Sequence, residues 1–315
     1  MSLSVSSYVD TCRSEVLDLW TRALPLDAIS VGTFESRILL DDNFDPEYFL
    51  MARDNNALVG CILGAYAKRM PLGDADPNGT RSWITALAVD PSADMTLVGG
   101  MLLRDLERKF AAIGKTECFV STYPPGYFTP GVDQNNSLPL LKCYLDNGYV
   151  KVREALSMDS SIVLFQAGKA VEEKEKQLRE QGIHIRPYRR EDLLHFLKFL
   201  ELTMPSDWVR VERRNLRKIT EGGFSENQIT VVAHGDEIIG YCQFEGSHFG
   251  PFGVSDTYQG RGIGTVLLAR TIERMKTEGF HTAWVMWTDD LAAKVYGKFG
   301  FKETRRFTIL RKDFH

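Results

Sequence analysis

The chain repeats itself in order, and a sequence that matches its own other half must build one layout twice. The run SWITALAVDPS alternates in hydrophobicity and predicts a strand ending at Val89; HFGPFGV predicts one ending at Val254. With that offset of 165 held, Gly99 falls on Gly264, Leu102 and Leu103 on Leu267 and Leu268, and Gly114 on Gly279. Each glycine pair brackets an amphipathic helix. Leu103, Leu106, Phe110 and Ile113 share a face in the first, as do Leu268, Ile272 and Met275 in the second. Gly114 and Gly279 stand where a left-handed helix end is expected. The strands TECFVST and TAWVMWT follow. Further on, an offset of 152 pairs Lys142, Tyr144, Gly148 and Tyr149 with Lys294, Tyr296, Gly300 and Phe301. The first copy therefore holds extra residues within STYPPGYFTPGVDQNN, a stretch of turn formers. Going backward, ALVGCILGAY matches EIIGYCQFEG at an offset of 180, which places a second long loop in KRMPLGDADPNGTR.

The second copy reads as strand (IHIRPY), helices, three strands (QITVVAH, EIIGYCQFE, SHFGPFGV), then helix, strand, helix, strand. That is a mixed α/β domain around one sheet, and the first copy follows the same order. The 315 residues suit two domains, expected at 1–164 and 183–315 with a join at 165–182. The join, FQAGKAVEEKEKQLREQG, carries the charge pattern of a linker or solvated helix, or equally of a surface helix of the first domain.

A net charge of −4 and a pI near 5.9 argue against a nucleic-acid grip, which calls for a strongly basic face. No apolar run is long enough to span a bilayer, and the N-terminus lacks the basic start and apolar core of a secretory signal. Cys12, Cys61, Cys118, Cys143 and Cys242 are scattered, with no metal or redox spacing; three sit in strand-like runs and read as small buried hydrophobes. A reducing, cytoplasmic setting is the default expectation, with no metal, because the six histidines form no H-x-x-x-H pair.

The segment with chemical content is GPFGVSDTYQGRGIGTVLLARTIERM. A strand ends, a turn follows, and Gly260, Gly262 and Gly264 open a helix. Glycines let the backbone approach a ligand, and the first helical N–H groups point outward with the positive end of the helix dipole. Such a terminus takes phosphate or pyrophosphate, and Arg261 can add a charge-assisted contact. The spacing is neither the dinucleotide fingerprint nor a P-loop.

Gln259-Gly260-Arg261-Gly262-Ile263-Gly264 resembles the Q/R-x-x-G-x-G/A motif of the GNAT N-acetyltransferases, and LAAKVYGKFGF resembles that family's second signature. The resemblance covers the second half in order. It implies two tandem GNAT acyl-CoA N-acyltransferase folds, in a layout similar to mycothiol synthase-like proteins, with acetyl-CoA as cosubstrate. In the family, residues at the positions of Gln259 to Gly264 wrap the cofactor pyrophosphate, and the strand ending at Phe252-Gly253-Val254 pairs with the pantetheine arm. The backbone N–H of Val254 or of a neighbour is the implied oxyanion donor. Tyr296 matches a tyrosine near the thiol that can protonate the leaving thiolate; its alternative role is a core tyrosine. Many members carry a glutamate eleven residues before the first motif position, where this chain has His248. His248 is one candidate base and a water chain the alternative, with Glu245 a second candidate.

In the first half, the 165 offset sets Asp94, Leu97 and Trp83 against Gln259, Gly262 and His248. An acid then stands where an anion should sit, which repels it, so this half is expected to be structural or to shape the substrate cleft, the alternative being CoA held in a different geometry. The expected reaction is acyl transfer to the primary amine of a small molecule, without nucleic acid or membrane. Alternatives are a non-catalytic acyl-CoA-binding or sensing protein and a protein N-acetyltransferase. Glu201, Met204, Trp208 and Glu212 read as exposed and are expected at the acceptor wall, with a plain amphipathic helix as the equal alternative.

Overall fold

The computed structural model describes residues 3–314. The chain divides into two compact units, Met1–Ala155 with Arg305–His315, and Leu156–Thr304. The first half contains β1 (Leu3–Ser7), α1 (Arg13–Ala23), α2 (Val31–Phe34), β2 (Phe49–Asp54), β3 (Ala57–Tyr66), β4 (Arg81–Val89), α3 (Met95–Ala112), β5 (Glu117–Val120), β6 (Val132–Asp133), α4 (Leu138–Asp146) and β7 (Val150–Ser161). Then come α5 (Lys169–Glu180), β8 (Ile183–Pro187), α6 (Leu193–Thr203), α7 (Ser206–Thr220), β9 (Ile229–His234), β10 (Glu237–Glu245), β11 (His248–Val254), α8 (Ile263–Thr277), β12 (Thr282–Thr288), α9 (Asp290–Gly297) and β13 (Lys302–Asp313). The order expected for each copy is present; the first long loop joins β3 to β4, and the second, expected as a loop throughout, contains the two-residue strand β6. Gly114 and Gly279, at φ of +77° and +91°, turn the chain after α3 and α8 as their position in the repeat predicted.

In the first unit β1, β2, β3 and β4 pair antiparallel in chain order, and β4 runs parallel to β5 from Arg81–Ile84 against Glu117–Val120. Both faces are covered. Leu102, Leu103, Leu106 and Phe110 of α3 pack on one side; Val16, Leu19 and Trp20 of α1 pack on the other. A strand between two apolar layers loses its polar alternation, which is why β3 reads ALVGCILGAY. In the second unit β8, β9, β10 and β11 pair antiparallel, α8 covers one face, and α6 with α7 covers the other. Cys61, Cys118 and Cys242 are buried thiols whose pKa burial pushes up to about 12.

Each sheet takes its last strand from a segment that the repeat assigned to the other copy. Residues 310–313 of β13 pair antiparallel with β5, and Phe307 and Thr308 pair with β6, all inside the first unit. Arg305 anchors this segment with two bonds to Asp27, at 2.7 and 2.8 Å, and one to Asp133 at 2.6 Å. Conversely, residues 156–161 of β7 pair with β12, Thr282 against Ser161 through Val285 against Met158, inside the second unit. The chain thus passes between units at 155/156 and 304/305, within strands, where boundaries near 164 and 183 were expected. The expected join at 165–182 holds α5, which belongs to the second unit. Val171 and Leu178 are buried against α8, and Glu175 bonds Arg270 at 2.6 Å.

Candidate active site

β11 and β12 pair only at His248 and Trp284 and then diverge, opening a splay along β11. Ser255 donates its N–H to Ile239 on β10. Successive residues of a strand point their N–H and C=O to opposite edges, so the N–H of Val254 faces the splay. This edge meets the N-terminus of α8. There Gly262 holds a left-handed φ of +80° as N-cap, and no side chain caps the helix. The first N–H groups of α8 stay open to an anion. A Cβ on Gly262 would stand 2.7 Å from Lys174 Cε of α5; the φ disfavours a side chain here, and one would have to displace the lysine stem.

Around the loop, Tyr258 meets His234 Nδ1 at 2.8 Å, and the Arg261 guanidinium lies 5.0 Å over the Tyr258 ring. Gln259 Nε2 donates to Asp256 Oδ1 at 2.6 Å, so its amide braces the loop itself. Ile263 is 1% exposed and can offer a ligand only its backbone. A Cβ on Gly264 would touch Phe252 Cζ at 3.3 Å, and the Phe252 ring is 6.3 Å from that of Tyr296. Helix end, strand and Tyr296 therefore form one line of contacts. Gly260 and Gly262 both take left-handed backbone in this turn.

Tyr296 sits on α9, whose N-terminus is capped by Asp289 through the N–H groups of Leu291 and Ala292. The Tyr296 ring packs on Phe249 at 5.3 Å. Burial raises its pKa well above that of a free phenol, so the hydroxyl stays protonated. The His248 ring lies against that of Trp284, centroids 4.4 Å apart and tilted by 48°. Ala283 and Val285 belong to the core under α8, so strand alternation turns Trp284, and His248 with it, to the α6–α7 face. Tyr296 and His248 thus flank the splay from opposite faces. Glu245 lies opposite His248 in the β10–β11 hairpin, but its exposed carboxylate pairs with Lys218 at 3.5 Å.

Of the expected wall residues, Met204 and Trp208 pack over Gly253, where a Cβ would meet Met204. Glu201 is exposed and paired with Arg213. Glu212 corrects the expectation of exposure. It is wholly buried between α7 and β10; Oε1 accepts from the Tyr241 hydroxyl at 3.4 Å, and Oε2 has no protein partner. Burial drives its pKa from 4.5 to about 8. An acid with a raised folded pKa binds its proton more tightly in the native state. Its contribution is fully present below about pH 4.5 and is lost as pH rises towards 8, at up to about 1.4 kcal/mol per pH unit. Glu212→Gln should therefore gain stability over the native chain between pH 5 and pH 8. Urea midpoints at the two pH values measure this, and an unchanged difference would refute it.

The first unit fills the equivalent place. Asp94 caps α3, accepting from Thr96 N at 2.8 Å and Leu97 N at 3.1 Å, so a carboxylate of the chain already holds the amides. α3 also starts about one turn earlier relative to the repeat than α8, which the 165 offset did not anticipate. Beyond the β4–β5 pairing the space is packed down to a cavity of about 40 Å³ bordered by Trp20, Thr85, Ser121 and Arg305. That is room for water, not for a pantetheine arm. Trp83, at the counterpart of His248, is buried on Tyr123, and Tyr144, at that of Tyr296, is buried on Tyr149.

Residues 194–301 match the acetyltransferase (GNAT) family. Among solved structures, the chain resembles the GCN5-related glucosamine N-acetyltransferase region of a fungal multi-domain GH3 β-N-acetylglucosaminidase, with a TM-score of 0.82 and 16% identity. The match covers 99% of this chain and 38% of that one. A GCN5-related N-acetyltransferase from Sphaerobacter thermophilus matches with a TM-score of 0.70 and 15% identity, over 99% and 95% of the two chains. A tandem GNAT protein from the clavulanic acid biosynthesis pathway matches with a TM-score of 0.63 and 13% identity, over 99% and 98%. No curated protein matches the chain. At these identities the structural likeness is one of fold, and the family match to the second half supplies the chemistry. Residues 194–301 form an acetyltransferase domain of the GNAT family, and the chain is two GNAT folds in tandem.

Proposed function

We propose that the second unit transfers an acetyl group from acetyl-CoA to the primary amine of a small molecule, by direct attack, and that the first unit holds no cofactor. The observation that carries this is the contrast between two helix ends: uncapped behind Gly262 in the second unit, filled by Asp94 in the first. The residues present fit acetyl-CoA. Open amides and Arg261 suit its pyrophosphate, and the free edge of β11 suits the amide groups of its pantetheine arm.

Bound there, acetyl-CoA supplies an activated acyl group. The N–H of Val254, aimed into the splay, is placed to stabilise negative charge on the acyl oxygen. His248, on the α6–α7 face, takes the proton from the acceptor ammonium directly or through water, because only the free amine has a lone pair. Tyr296, kept neutral by burial, donates its phenolic proton or a hydrogen bond to the departing thiolate. The C–N bond forms and the C–S bond breaks; the nitrogen gives its second proton to water, and water returns a proton to Tyr296 where the phenol has donated its own. Met204 and Trp208 give the acceptor an apolar wall over Gly253. The fungal relative is described as acting on glucosamine, so amino sugars are the first amines to try.

Thiol release from acetyl-CoA across a panel of amino sugars, polyamines and peptide N-termini tests the reading. Turnover with small amines supports it; turnover with peptides alone replaces it with a protein acetyltransferase. Binding of acetyl-CoA without turnover by any amine favours a sensing role. Tyr296→Phe should lower kcat about tenfold and leave KM for acetyl-CoA nearly unchanged, since proton donation matters only as the thiolate leaves. A raised KM at constant kcat would assign Tyr296 to binding instead.

A further inference from the structure

We infer that Lys174, on the helix α5 that precedes the family-matched segment, is a phosphate ligand of the bound CoA. The inference rests on reading the Gly262 loop as the cofactor pyrophosphate site. Three observations carry it. First, the Lys174 stem lies along that loop: Cε, Cγ and Cδ stand 2.7, 3.3 and 3.5 Å from where a Gly262 Cβ would be. The ammonium, one bond beyond Cε, is therefore held close to the first turn of α8. Second, α5 is clamped in place. Val171 and Leu178 are buried in the core of the second unit, Glu175 bonds Arg270 on α8 at 2.6 and 3.2 Å, and the Ala167 N–H bonds Glu273 at 3.0 Å.

Third, among the described residues the Lys174 ammonium has no ion-pair partner. Its acidic neighbours are engaged elsewhere, Glu175 with Arg270 and Glu173 with Gln177. Across the loop, Asp256 accepts from Gln259. A half-buried cation with a fixed stem, beside uncapped helix amides and Arg261, completes a surface for phosphate oxygens from three directions. This also gives Gly262 a second duty. A side chain there would push the lysine stem away as well as strain the turn.

CoA presents two phosphate sources, the pyrophosphate and the 3′-phosphate, and the test separates them. CoA and 3′-dephospho-CoA are titrated by calorimetry into the full chain, native and as Lys174→Met, which keeps the apolar stem; Lys174→Arg serves as the rescue, and thermal unfolding checks each variant. One lost charged contact should weaken binding about tenfold or more, with Lys174→Arg close to native. A loss for CoA alone assigns Lys174 to the 3′-phosphate; an equal loss for both assigns it to the pyrophosphate. Native affinity of Lys174→Met for both ligands overturns the inference and leaves the loop reading standing. No binding of CoA by the native chain removes the loop reading and this inference with it.

Discussion

Deleting residues from Arg305 onward should unfold the first unit while the second stays folded, although the cut lies about 150 residues away from that unit's other strands in sequence. Phe307, Ile309 and Leu310 are all 1% exposed or less, and Leu310 belongs to the core under α3. Burying three such side chains contributes together about 5–9 kcal/mol, on the order of the whole stability of a domain, about 5–15 kcal/mol. The deletion also bares the edge of β5 and removes Arg305, leaving Asp133 almost buried without its cation. The same reasoning predicts that a fragment ending at residue 164 does not fold alone, because the strand it needs lies at 305–313. Limited proteolysis with circular dichroism reads both results. Protease resistance of the first unit in the deleted chain would contradict the strand assignment.

Gly262→Val should abolish acetyltransferase activity without unfolding the protein, with a loss in kcat/KM of about 100-fold or more. A β-branched residue at a φ of +80° is strained by about 1–2 kcal/mol. Relief of that strain turns the loop and swings away the N–H groups that would hold phosphate, each charge-assisted bond contributing about 1.5–3 kcal/mol. The new side chain also meets Lys174. Global stability changes less, because the loop is at the surface and the α8 core residues Val266 to Ile272 are untouched. Steady-state rates at several acetyl-CoA concentrations measure the loss. Near-native kcat/KM in a folded variant would remove the loop from the cofactor site.

How much of this was legible in the sequence varies with the physics behind each feature. Strand alternation and helix periodicity are local, so the repeat, the element order and the glycine-opened α8 were all readable. The strand exchange was not. The runs VKVREALSMDSS and KETRRFTILRKD contain no glycine or proline to mark a boundary, and an extended strand bonds whichever edge is in reach. Glu212 was misplaced because α7 turns polar groups inward: its buried face holds Glu212 and Asn215 beside Leu216 and Ile219, which breaks the hydrophobic pattern used to find faces. In the repeat, Asp94 stands out only as the counterpart of Gln259. An aspartate directly before a helix is an N-cap signal, and that rule would have assigned it to the amides it fills. Lys174 had no local signature, since its contact with Gly262 joins residues 88 positions apart in the chain.

The proposed cofactor site is single and lies at the uncapped start of α8. Calorimetric titration of acetyl-CoA into the native chain, Gly262→Val and Asp94→Ala tests it most directly. The account predicts a stoichiometry near one, lost in Gly262→Val and unchanged in Asp94→Ala. A stoichiometry of two, or binding that survives Gly262→Val, would contradict it.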